Sequence, residues 1–188
     1  MDRDTVNEGM AQTRIFFDPW VGETYGTDKS IFKKKILVLG GSHYCEECAT
    51  CGDRMLHPGC VSYTRDRIGE YLNPAFKASR KKTYTWKKTH TSFINSMYGV
   101  STSHEQQRLY FSSICFCNFL QLSAGKDPNS AHRYNYKDIR HRLAFYEVIR
   151  RWMPDIVISW GDKVWNALPD DWGYGTAIKG AAMSVAGT

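Results

Sequence analysis

Three short apolar runs, each cut off by a residue that interrupts a buried strand, constrain this chain more than any other feature. Ile36-Leu-Val-Leu39 runs into Gly40-Gly41, Ser112-Ser-Ile-Cys-Phe-Cys117 runs into Asn118, and Ile156-Val-Ile-Ser159 runs into Trp160-Gly161. Continuous apolar strands of this length suit a sheet covered on both faces, the usual state of parallel strands. A helix is predicted before the third run, from Tyr136 to about Met153, because Ile139, Leu143, Tyr146, Ile149 and Met153 recur at helical spacing. Asn135 is its expected N-cap, Arg150 and Arg151 suit the negative end of the helix dipole, and Pro154 stops it. Thr64 to Tyr71 reads as a short helix, and Asp162 as the cap of another running through Leu168. Helix, proline, strand, glycine, helix is the order of an α/β protein.

The 188 residues suffice for one domain with one sizeable core. Residues 1–30 read as a loop-rich segment whose Phe16-Phe-Asp-Pro-Trp-Val-Gly22 packs across the domain formed by residues 31–188. No apolar run is long enough to cross a bilayer, and Met1 to Arg14 has no secretory h-region, so a cytoplasmic protein without a membrane partner is expected. The charge of +6 and pI near 9.0 suit a polyanionic partner.

In an open parallel sheet, ligands bind beyond the carboxyl ends of the strands. If the three runs are parallel, Gly40-Gly-Ser-His-Tyr44, Asn118-Phe-Leu-Gln121 and Trp160-Gly-Asp-Lys163 share one rim. That convergence is the central expectation.

The order of strand–Gly-x-x-x-Tyr, strand–Asn and Pro-Asp-hydrophobic strand–Trp-Gly resembles the uracil-DNA glycosylase superfamily. Leu39-Gly-Gly-Ser-His-Tyr44 resembles its Gly-Gln-Asp-Pro-Tyr loop, and Pro154-Asp-Ile-Val-Ile-Ser-Trp-Gly161 resembles its third strand. The likeness covers roughly residues 15–170. It implies a three-layer α/β/α fold with a central, mostly parallel, four-stranded sheet. It puts Tyr44 at the aromatic that crowds the base and Asn118 at the side chain that reads the base edge. The chain departs from the family at Ser42, where the catalytic Asp belongs, and at Gly41, where related subfamilies carry Glu. The late His-Pro-Ser-type loop has no counterpart before Thr188, so either the chain is shortened or this branch builds its site differently.

The resemblance implies a DNA glycosylase, a hydrolase that captures an extruded uracil or otherwise modified base and cleaves its N-glycosidic bond in base excision. Cleavage leaves an oxocarbenium-like sugar and an anionic base, so a carboxylate and hydrogen-bond donors are needed. Base flipping further requires edge hydrogen bonds and stacking faces. The expected catalytic set is Ser42, His43 as an oxyanion donor, and Glu46 or Glu47 as replacement acid. The expected base-binding set is Gly40, Gly41, Tyr44, Asn118, Phe119 and Trp160.

Cys45, Cys48, Cys51, His57 and Cys60 are dense for a cytosolic chain, and zinc takes four such ligands, often opening with Cys-x2-Cys. Cys48, Cys51, His57 and Cys60, or Cys45, Cys48, Cys51 and Cys60, would hold a structural zinc in the loop 45–60. An iron–sulfur cluster fits less well, and no organic cofactor is expected. Between Lys77 and His90, Arg80, Lys81, Lys82, Lys87 and Lys88 surround Tyr84 and Trp86 with no acidic residue, a pattern that suits DNA with a single-stranded or extruded base. Two other readings stand beside this one. One is a catalytically impaired nucleic-acid-binding module of the same fold, and the other is a nucleotide-active enzyme on a flavodoxin-like sheet. The second lacks a Gly-rich phosphate loop. The default assembly is a monomer.

Overall fold

The computed structural model describes residues 13–45, 56–75, 85–125 and 135–169. Among them, a four-stranded open sheet is built from β1 (Trp20–Val21), β2 (Ile36–Gly40), β3 (Ile114–Asn118) and β4 (Ile156–Ser159). The order is β1-β3-β2-β4, with β2 parallel to both β3 and β4 and β1 antiparallel to β3. The helices are α1 (Tyr63–Leu72), α2 (Thr85–Tyr98), α3 (His104–Ser113), α4 (Ile139–Trp152) and the single turn α5 (Asp162–Trp165). No helix among the described residues is long and apolar enough to cross a membrane.

All five residues of β2 and of β3 are buried, whereas β4, at the sheet edge, is partly exposed. Side chains alternate across each strand, so the two faces carry different sets. Leu37, Leu39, Cys115, Cys117 and Val157 pack with Ala144, Phe145, Val148 and Ile149 of α4 and Val164 of α5. Ile36, Val38, Ile114, Phe116 and Ile158 pack with Ile68 and Tyr71 of α1, Ile94 of α2, and Tyr110 and Phe111 of α3. Helices therefore cover both faces, a three-layer arrangement.

The α4 stripe differs from the expected one. Its buried residues are His141, Ala144, Phe145, Val148 and Ile149, while Ile139 is 58% and Met153 64% exposed. The spacing i, i+3, i+4, i+7, i+8 is helical, but a histidine and an alanine hold two of the inward positions, so hydrophobicity alone points to the wrong phase. Asp138, rather than Asn135, caps the helix by accepting from the Arg140 N–H at 2.9 Å. Asn135 forms a local turn with the Lys137 N–H instead. At α5 the cap is Gly161 at φ 109°, a conformation that favours glycine, and Asp162 is the first helical residue.

The segment read as loop-rich enters the core. Ile15, Phe16 and Phe17 are buried, and Trp20–Val21 adds the antiparallel edge strand. Helix α3 occupies the two serines expected to open β3, and its Ser103–Gln106 capping box fixes its start.

Candidate functional site

Strand register brings the site together. Gly40 pairs with Asn118 across β2 and β3, and the Trp160 N–H donates to the Leu39 carbonyl at 2.8 Å. Gly40, Asn118 and Trp160 each lie two residues beyond Val38, Phe116 and Ile158, which form one cross-strand row. The three residues thus share both the carboxyl rim and the α1–α3 face, as the strand endings implied.

Gly40 is required there by close approach. A Cβ at this position would collide with the Asn118 Oδ1 and sit 3.1 Å from the Phe116 ring. The chain beyond it runs alongside the β3 exit, because Phe119 N–H donates to Gly40, Leu120 N–H to Gly41 and Ala124 N–H to His43. This ladder holds the Gly40–Tyr44 loop against Asn118.

His43 is 7% exposed, with Thr64 Oγ1 2.8 Å from Nε2 and the Asn118 Nδ2 3.1 Å from both ring nitrogens. An amide nitrogen can only donate. Nε2–H donating to Thr64, with a bare Nδ1 facing the amide, satisfies both contacts. Phe17 and Tyr63 pack edge-on against the ring at 4.5 and 5.0 Å. Burial, with the nearby Arg67 guanidinium and then His90, lowers the His43 pKa to about 3, so the ring is neutral at pH 7. Its nitrogens are thus engaged by Thr64 and the Asn118 amide. Gln121 fixes the same residue from the other side, donating to the Asn118 carbonyl at 3.0 Å and accepting from the Phe16 N–H at 2.7 Å.

The remaining base-binding candidates divide. Trp160 stacks on Phe93 at 4.6 Å, so one of its ring faces is covered. Phe119 is 2% exposed and turns to the α4 face, against Tyr136, His141 and Phe145, where it is core and offers no stacking surface. Alternation along the chain after Asn118 accounts for that reversal. Tyr44 is partly buried, its carbonyl accepts from Tyr63 Oη at 2.8 Å, and its hydroxyl influences that of Tyr136. Ser42 lies within hydrogen-bonding reach of the Tyr136 hydroxyl, whose pKa is raised by burial. A Cβ on Gly41 would stand 3.4 Å from the same hydroxyl.

Glu46, Glu47, Cys48, Cys51, Arg80, Lys81 and Lys82 lie outside the described residues. Cys45 and Cys60 are partly buried, and with His57 they do not gather into a three-ligand group. Lys87 and Lys88 sit on α2. The Lys87 ammonium stands 5.4 Å over the Trp86 ring and donates to the Glu70 carbonyl at 3.4 Å, while Lys88 is exposed.

Thr64, Tyr136 and His90 are site neighbours that the strand endings could not reveal. His90 belongs to α2, and its ring lies 5.2 Å from Trp160 and 5.3 Å from Phe116. Helical spacing from Trp86 was the available signal, since the two rings meet at 6.0 Å. Chemically, the rim offers an oriented amide, a neutral imidazole pair and several rings, with the Arg67 cation close by. No family model, curated protein or solved structure matches the chain.

Proposed function

We propose that this protein captures a nucleobase of DNA, extruded or single-stranded, at the carboxyl rim of its sheet and hydrolyses its N-glycosidic bond. The observation that carries the reading is the Gly40–Asn118 pair, in which a glycine leaves room for an amide held by His43, on a backbone whose carbonyl accepts from Gln121. A fixed amide presents one donor and one acceptor side by side, the pattern that discriminates the edge of a flat heterocycle. Preorganisation lets that amide act without reordering on binding.

In the proposed reaction the C1′–N bond breaks, the electron pair leaves with the base, and water supplies hydroxide to C1′ and a proton to the base. Arg67 favours the departing anion, and the neutral His43 keeps the amide aligned throughout. Glu46 remains the proposed acid that orients the water, with Ser42 at the loop position nearest the family's acid. Lys87 and Lys88, with Arg80, Lys81 and Lys82, are proposed to meet backbone phosphates. A structural zinc held by four of Cys45, Cys48, Cys51, His57 and Cys60 is proposed to brace the loop.

A second reading, a non-catalytic binder of modified DNA, is favoured by one observation. The ionisable groups that act on His43 are Arg67 and His90, neither of them a carboxylate. Release of free base from single- and double-stranded oligonucleotides carrying uracil and other modified bases tests the first reading. Binding without release across the panel supports the second, and binding that is indifferent to salt removes nucleic acid from both.

A further inference from the structure

The α1–α3 face contains a partly exposed imidazole set among aromatic rings. His90 is ringed edge-on or tilted by Tyr71 at 5.7 Å, Trp86 at 6.0 Å, Phe111 at 5.8 Å, Phe116 at 5.3 Å and Trp160 at 5.2 Å. The side chain is partly exposed between these rings, and among the described residues neither nitrogen has a hydrogen-bond partner or is a buried unpartnered atom. The nitrogens are thus open to solvent or to a ligand, where phenylalanine or leucine would keep the packing and offer no polar contact. A partly exposed polar ring set among apolar ones is a place where a ligand can supply the partner.

Its place in the fold sets it beside the proposed base site. Phe116 and Trp160, which His90 touches, flank the last row of the sheet, and the Phe116 ring lies 3.1 Å from where a Gly40 Cβ would stand. His90 is also close enough to His43 to influence it electrostatically.

We propose that His90 is a base-contacting residue, hydrogen-bonding the heterocycle held by Asn118 from the α2 side of the rim. This rests on the proposed capture of a nucleobase and extends it to a residue outside all three strand-end loops. Burial lowers the His90 pKa to about 4, so at pH 7 the ring presents one N–H donor and one bare nitrogen acceptor. An uncharged base is therefore its complement, since a neutral ring gives no ionic attraction to a phosphate. Helix α2 would then serve both ends of a nucleotide, His90 on the base and the exposed Lys88, two residues earlier on a different face, on the backbone.

The test compares the full chain with His90→Phe, which keeps the packing and removes both nitrogens, and His90→Gln, which restores a donor and an acceptor. The probes are single-stranded oligonucleotides carrying one uracil or one other modified base, with an abasic-site oligonucleotide of the same length as control. His90→Phe should melt within a few degrees of the parent and bind the base-bearing strand about tenfold more weakly, the loss of one neutral hydrogen bond, with His90→Gln recovering part of it. Affinity for the abasic strand should not change. The imidazole nitrogen resonances of His90 should shift when the base-bearing strand is added and stay put with the abasic one. If the parent prefers the base-bearing strand but His90→Phe matches it and the resonances are still, the His90 assignment is wrong and base capture survives. If the parent binds both strands equally, base capture itself fails and takes this assignment with it.

Discussion

The two faces of one sheet have been put to different uses. On the α4 side, Leu37, Leu39, Cys115, Cys117, Phe145 and Val148 make an apolar interior that continues to the rim, where Phe119 closes it under Tyr136. Even the thiols are inert there, since burial pushes Cys117 up to about 12. On the α1–α3 side, the same strands finish in Gly40, Asn118 and Trp160, and the helices above bring His90, Thr64 and Arg67. Both faces are packed, but one stays apolar to its rim, whereas the other ends there in oriented polar groups. The difference follows from strand parity: an even step from Val38 and Phe116 reaches the site, and an odd step reaches the core.

The largest effect that could break this contrast belongs to the packing face. Phe145→Ala deletes a ring that is 3% exposed and should cost about 3–5 kcal/mol in urea unfolding, while the surviving folded fraction keeps its base affinity. Matching losses of stability and affinity would mean the faces are not separable. Next comes Asn118→Ala, which removes the amide proposed to read the base and leaves the His43 Nδ1 without its donor. Stability should fall by about 1–3 kcal/mol, and base release or base-dependent binding should disappear. Gly40→Ala should reproduce the functional loss by pushing on Asn118, and normal activity in that variant would show that the amide is not the reading group.

Acid sharpens the contrast further. The unfolded His43 titrates near 6.5 and the folded one near 3, so below pH 6.5 the unfolded chain takes up a proton that the folded chain refuses. Stability is therefore lost as pH falls from about 6.5 towards 3, by about 1.4 kcal/mol per pH unit for each such proton. His90 adds to the slope down to about pH 4. His43→Gln should lessen the dependence by one proton between pH 6 and 4, measured as urea midpoints. Equal slopes in parent and variant would place His43 in a wetter site than its 7% exposure implies.

The rim was legible in the sequence because strands announce themselves by composition and end at residues with few other uses. Leu39-Gly40, Cys117-Asn118 and Ser159-Trp160 were identifiable, and the parallel register then followed from the helix–strand order. What covers the rim was not legible. Thr64 and His90 arrive on helices whose phase is set by tertiary contact, and a lone histidine inside a lysine-rich stretch resembles solvent-facing sequence. The misphased α4 stripe has the same origin: His141 is buried because its Nδ1 accepts from the Gln121 N–H at 3.1 Å, a partner no local pattern predicts. Phe119, expected to stack on the base, lies one odd step beyond Asn118 and therefore turns to the α4 core. The two-residue β1 is too short to show periodicity.

The smallest effect lies at the opposite rim, where α4 hands over to β4. Met153 is the non-glycine residue with positive φ among the described residues, at φ 41°, with its N–H donating to the Ile149 carbonyl at 2.8 Å and its side chain 64% exposed. A left-handed C-terminal position favours glycine, because a Cβ there crowds the carbonyl and costs roughly 1–2 kcal/mol. Met153→Gly relieves that strain but gives the unfolded chain more freedom, about 0.4–1 kcal/mol in the other direction. A net gain of about 0.5 kcal/mol in urea unfolding is expected, with base affinity unchanged because Met153 lies at the far end of the strands from Asn118. A change in affinity without a change in stability would show that the α4 side reaches the site after all, and that strand parity does not divide the molecule as cleanly as its packing does.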